Sequence, residues 1–237
     1  MQSLSKLFRG VASAASVATG GEGGRAPARV QRRSNGLSEL SRSFRGEQGL
    51  CVLDLGPTSP QNIAYLTGLG HRTYNEDVLL SSLDPTWLKP AEDGGQVIDT
   101  ERFLAENLCY EKNFFDAVFC WDAPDYLPAD LVKPIVQRIF EVTKPKGLLL
   151  GFFHTRDAGP DAPYHRYHIG DTETIEMQRI APPAPGTRQP DSGPGRYHHF
   201  RLQRIFNNRH IENLFHDYAS IKFFLGRDNI REVLIVR

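Results

Sequence analysis

Residues 50–57 read LCVLDLGP, an apolar run broken by one aspartate and closed by Gly-Pro. A short continuous apolar run that ends at turn residues is the pattern of a strand buried on both faces, as in a parallel sheet. The next segment has helical signals. Ser59 is placed to cap a helix over 59–69 and Pro60 suits its first turn. Ile63, Ala64 and Leu66 form its apolar face, and Gly68 and Gly70 end it. A second short strand is expected at 72–75, stopping at Glu76-Asp77.

The same alternation recurs further on. Residues 84–98 contain two prolines and Gly94-Gly95 and read as loop, and 99–108 have helical spacing. Residues 115–121 (FDAVFCW) are an apolar strand ending at Asp122-Ala123-Pro124-Asp125. An amphipathic helix over 129–142 turns Leu131, Ile135, Ile139 and Val142 inward, and 148–153 (LLLGFF) form another strand. Residues 167–169 and 174–179 suggest a small hairpin, with a third strand at 196–203. A helix at 208–218 and two strands at 219–225 and 232–236 close the chain. Strand–helix alternation with a terminal hairpin predicts an α/β sandwich built on a mostly parallel sheet.

Composition sets the outer limits. The chain has 237 residues, with 28 basic and 28 acidic side chains. Neutrality conceals an asymmetry: residues 1–46 hold eight basic and two acidic groups, net +6, and residues 47–237 are net −6. The 1–46 head is rich in Gly, Ser, Ala and Arg, and such a segment buries too little to offset its ordering entropy. It is expected to be a disordered basic leader, with a short amphipathic turn near 3–17 and a targeting or polyanion-contacting role as alternatives. Residues 47–237 are expected to form one domain, with a cap or insertion at about 154–203. No run approaches the roughly 18–20 apolar residues of a membrane span. Cys51, Cys109 and Cys120 form no even framework, which fits a reducing, cytoplasmic setting. His165, His168, His198 and His199 have no nearby cysteine, so no metal site is expected. Neither a Walker loop nor a G-x-G-x-x-G fingerprint is present.

VLDLG at 52–56, FDAVFCWDAPDYLP at 115–128, VTKPKGLLLGFF at 142–153 and the ending at 211–237 together resemble the core motifs of class I S-adenosylmethionine-dependent methyltransferases. The resemblance spans roughly 48–153 and 200–237. It implies a Rossmann-like three-layer sandwich: a mostly parallel seven-stranded sheet with a C-terminal antiparallel hairpin. It implies S-adenosylmethionine as cofactor and methyl transfer to a small-molecule acceptor. Asp54, Gly56, Pro57 and Thr58 would lie beside the cofactor's amino-acid portion, and Glu76 or Asp77 would accept from its ribose. Trp121 and Asp122 would stand nearest the transferred methyl group, and Asp125 and Tyr126 would border the acceptor. Only the first glycine of the usual D/E-x-G-x-G-x-G loop remains, with Thr58 and Pro60 at the other two positions. The acid that normally ends the third strand has no clear counterpart; Asp99 and Glu101 are the nearest. These departures motivate the alternative of a non-catalytic methyltransferase-like binding or scaffold module.

Overall fold

The computed structural model describes residues 29–92, 94–155, 164–180, 200–226 and 228–237. The chain enters with β1 (Arg29–Arg33) and α1 (Asn35–Ser43), which Ser34 caps by accepting from the Leu37 amide. β2 (Cys51–Leu55) is buried along its whole length, as its apolar run predicts, and leads to α2 (Pro60–Gly68), capped by Ser59. Then come β3 (Arg72–Glu76), α3 (Val78–Ser82), a single 3-10 turn and a hairpin of β4 (Leu88–Pro90) and β5 (Gln96–Ile98). α4 (Thr100–Glu106) precedes β6 (Phe115–Trp121), the short α5 (Ala123–Tyr126), α6 (Ala129–Val142) and β7 (Thr143–His154). The chain closes with β8 (His165–Ile169), β9 (Thr174–Arg179), α7 (Asn208–Leu214), β10 (Ser220–Leu225) and β11 (Ile230–Val236).

The central sheet has the order β10-β11-β7-β6-β2-β3. β3, β2, β6 and β7 run parallel, and β11 is antiparallel to both of its neighbours. Helices cover both faces, so the α/β three-layer architecture and the antiparallel closing hairpin agree with the sequence reading. Alternation along β2 sorts the layers. Leu53 and Leu55 face a core shared with α3, α4, α6 and α7, whereas Val52 faces a second core containing Leu37 and Leu40 of α1, Leu66 of α2, and Tyr167, Ile169 and Ile175.

Among the described residues the sheet has six strands where seven were expected. Beyond α3 the chain forms the separate β4–β5 hairpin and does not add a strand beside β3. Aromatic rings lie at that edge instead: Tyr74 packs edge-on to Phe114 at 5.2 Å and to Tyr110 at 5.9 Å. This accounts for the absent third-strand acid. Asp99 caps α4 and Glu101 is exposed in its first turn.

The unstructured-leader expectation needs a larger correction. Residues 1–28 lie outside the described residues, but 29–46 belong to the fold. β1 pairs antiparallel with β9, supplying the third strand of the small sheet β1-β9-β8 that had been expected from 196–203. Of that range, 200–203 form no strand and 196–199 are outside the described residues. The buried Arg32 donates to Glu232 at 2.7 Å, and the other Glu232 oxygen accepts from Ser34 Oγ and the Gly36 amide. Gly36 is needed there, because a Cβ would stand 2.6 Å from Leu150 Cδ1. Leu37 and Leu40 are buried with them, and each such side chain contributes roughly 1.5–3 kcal/mol. No helix among the described residues is long and apolar enough to cross a membrane.

Candidate functional site

In open parallel sheets, ligands sit outside the carboxyl ends of the strands where the strand order reverses. Here the chain moves outward from β2 to β3 and then returns to β6, so the reversal lies between β2 and β6. Asp54 and Trp121 end these strands on the face shared with α1 and α2.

The structure brings Asp54, Gly56, Trp121 and Asp122 together and ties them to one another. Trp121 Nε1 donates to Asp54 Oδ1 at 2.5 Å, and Asn62 Nδ2 donates to Asp54 Oδ2 at 2.8 Å. The Trp121 indole lies between Phe119 and Tyr167, nearly parallel to both, at 5.0 and 5.2 Å. Its backbone has φ 46°, a left-handed conformation uncommon for a bulky residue and typical of constrained sites. The Tyr167 hydroxyl donates to Asp122 Oδ2 at 2.7 Å. Burial pushes Asp54 up to about 6 against the hydrogen bonds from Asn62 and Trp121 that pull it down. Burial likewise raises Asp122 to about 6, against the nearby His154 and the Tyr167 hydrogen bond.

β8 is seated on this end of the sheet by its backbone. Asn62 Nδ2 also reaches the Tyr167 carbonyl, and Asn62 Oδ1 accepts from the Ile169 amide. Ser59 Oγ and His168 Nδ1 are 2.7 Å apart, and His168 Nε2 lies 2.8 Å from Gln178 Oε1. A neutral His168 that accepts from Ser59 and donates to Gln178 satisfies both contacts.

A second cluster adjoins the first. Asp125 Oδ2 accepts from both the backbone amide and the ring Nδ1 of His154, at 2.7 and 2.8 Å. Its Oδ1 is buried without a partner among the described residues. Burial raises Asp125, while the His154 bonds oppose the shift. Burial disfavours the charged His154 ring, but the Asp125 hydrogen bond and the charges of Asp122 and Asp125 outweigh it and raise its pKa. Tyr126 is buried, edge-on to His154 and Tyr164. Arg204 caps α5 by donating to the carbonyls of Pro124 and Leu127.

The remaining expected residues line the adjoining turn or hydrogen-bond outside this network. Pro57 is buried and Thr58 exposed in the turn after β2. Glu76 accepts from the Leu108 amide at 3.0 Å and hydrogen-bonds Tyr110, while Asp77 caps α3 through the Leu80 amide. His165 lies near His154, and burial lowers it to about 4. His198 and His199 are outside the described residues. Asn62 and His154 went unnoticed in the sequence because a first-turn Asn and a strand-end His carry no distinguishing pattern. Tyr167 did carry a signal, within the YHRYH run of 164–168.

For S-adenosylmethionine, the cofactor that the resemblance implies, the strand-end carboxylates are suitable hydrogen-bond acceptors, but Tyr167 closes the arrangement as it stands. Both Asp54 oxygens are taken, Asp122 holds Tyr167, and Trp121 Cδ1 stands 3.4 Å from where a Gly56 Cβ would be.

No family model matches the sequence, and no curated protein does. Solved structures similar to the chain include methyltransferases. The 1,6-didemethyltoxoflavin-N1-methyltransferase of Burkholderia thailandensis, crystallised with 1,6-didemethyltoxoflavin and S-adenosylhomocysteine, is 12% identical over 85% of this chain and 76% of its own, with TM-score 0.43. A SAM-dependent methyltransferase from Aquifex aeolicus is 13% identical over 84% and 88%, with TM-score 0.40. One from Methanosarcina mazei is 11% identical over 83% and 95%, with TM-score 0.42. With TM-scores below 0.5, none of these bears on the chemistry of the strand-end site.

Proposed function

We propose that the chain is an S-adenosylmethionine-dependent methyltransferase for a small-molecule acceptor, working in the cytoplasm as a single domain in which β8, part of the 154–203 insertion, caps the strand ends. The observation that carries this reading is the strand order, with its reversal between β2 and β6 and acids at both strand ends. Asp54, Gly56, Pro57, Thr58, Glu76, Asp77, Trp121 and Asp122 form the cofactor side. Asp122, Asp125 and Tyr126 form the acceptor side, and the unpartnered Asp125 Oδ1 supports a proton-accepting role there. Cofactor entry in this reading requires that Tyr167 leave Trp121 and Asp122.

A second reading, the non-catalytic binding or scaffold module, is favoured by that same network. Tyr167, Ile169 and Ile175 are part of a packed core, and their buried side chains support a permanent seat for β8. Titrating the full chain with S-adenosylhomocysteine and assaying methyl transfer over an acceptor panel separates the two. Binding with turnover supports the first reading, and binding without turnover supports the second. Absence of heat and of thermal shift at millimolar ligand removes the first.

A further inference from the structure

A cavity of about 630 Å³ opens between the carboxyl-terminal halves of α1 and α2 and the β8–β9 turn. Leu69 and Gly70 end α2 just before β3 begins, so this cavity lies toward the amino ends of the strands, away from the site described above. Its volume falls within the roughly 300–1,000 Å³ typical of small-molecule sites.

The lining combines three kinds of group. Phe44, Tyr65 and Leu69 form an apolar and aromatic wall, and Leu69 is 44% exposed. Ser38, Ser41 and Tyr65 offer hydroxyls. The Tyr65 hydroxyl oxygen is buried against Ser41 and completes no hydrogen bond of ordinary geometry. A buried hydroxyl left in that state is destabilising, and an acceptor on a ligand would relieve it. Burial raises the Tyr65 pKa, and Asp171 adds to the rise while Ser41 opposes it, so the group stays an O–H donor.

The charges are unevenly committed. Of the two acids in the lining, Glu173 is paired with Arg33 at 2.8 Å. The nearby Asp171 carboxylate accepts from the amides of Glu173 and Thr174. Arg42 and Arg45 form no ion pair with any described residue, and they share the lining with Glu47 and the Arg33-paired Glu173. Arg42, in the last turn of α1, complements the helix dipole there, but Arg45 lies beyond the helix and has no such role. Planar guanidinium forks suit carboxylate and phosphate oxygens.

We propose that this cavity binds a small organic anion, a carboxylate or phosphate carried on a flat apolar body. Arg42 and Arg45 hold the anion, Phe44 and Leu69 cover the body, and Tyr65 donates to an acceptor on the ligand.

The probes are phenyl phosphate and benzoate, with benzamide as the uncharged isostere and inorganic phosphate as the body-less anion. Each is titrated into the full chain by calorimetry, alongside an Arg42→Ala/Arg45→Ala double variant and Tyr65→Phe. Both arginines are exposed, so the double variant should keep the wild-type circular dichroism and melting temperature. The expected result is saturable binding of at least one aromatic anion, weakened by about tenfold or more in the double variant and less in Tyr65→Phe. Benzamide and inorganic phosphate should bind at least about tenfold more weakly. Lack of saturation by both aromatic anions at about 10 mM, well beyond the millimolar regime of weak ligands, overturns the proposal. So does unchanged binding in the double variant, or equal binding of benzamide or inorganic phosphate. S-adenosylhomocysteine titration of the same variants reads the strand-end site separately, so failure here leaves that reading intact.

Discussion

Replacing Asp54 with asparagine should change how stability depends on pH. Asp54 is buried at the end of β2, and burial outweighs its two hydrogen bonds, raising its pKa from 3.8 to about 6. The folded protein therefore binds this proton more tightly than the unfolded chain does. Between those values the folded state holds more protons, so the Asp54 contribution to stability falls as pH rises. Below about 4 both states are protonated and the penalty is absent; above about 6 both are ionised and it is complete. A shift of about 2 units, at 1.36 kcal/mol each, makes the full penalty about 3 kcal/mol. The amide also loses hydrogen-bond complementarity to Asn62, but that offset does not vary with pH. Urea unfolding of wild type and Asp54→Asn from pH 4 to 7 measures the difference. Wild type should lose about 2–2.5 kcal/mol relative to the variant across this window. Parallel stability profiles would show that Asp54 has an ordinary carboxylate pKa, and the buried-network account of the site would fail.

Three further outcomes are expected. Glu232→Ala should cost about 3–5 kcal/mol in urea unfolding, because Arg32 is left buried, with Asp228 at 3.1 Å as its remaining acid; a loss under about 1 kcal/mol would mean that β1 is not anchored there. Gly36→Ala should destabilise by about 1–3 kcal/mol, since the new methyl meets Leu150, and a neutral result would contradict that packing. Tyr167→Phe keeps the stacking on Trp121 but removes a donor from buried Asp122, so it should cost about 1–3 kcal/mol at pH 7, and the cost should shrink as Asp122 is protonated below about 6.

Much of the central sheet was readable because burial on both faces leaves apolar runs. LCVLDL, FDAVFCW and LLLGFF became β2, β6 and part of β7, and Ser59 and Pro60 started α2 as expected. The β1–α1 segment was not readable. RVQRR has no strand pattern of its own, and it becomes ordered through partners far away in sequence, β9 and Glu232. The missing sheet strand was hinted at only by the absent acid, since nothing local in residues 88–114 says that Tyr110 and Phe114 will cover the β3 edge. Within the site, the strand-end acids were identifiable by position. Their mutual engagement was not, because it depends on Asn62 and on a Tyr167 delivered by a polar segment more than 40 residues beyond Trp121.

The central claim, a strand-end site of methyltransferase type, is tested most directly by titrating the full chain, in a Trp87→Phe background, with S-adenosylhomocysteine. With Trp87 removed, Trp121 is the remaining tryptophan, and its indole lies against Gly56 and Tyr167. The account predicts saturable binding accompanied by a change in Trp121 fluorescence, both weakened by Asp54→Ala. No heat, no thermal shift and an unchanged Trp121 signal at millimolar ligand would contradict it.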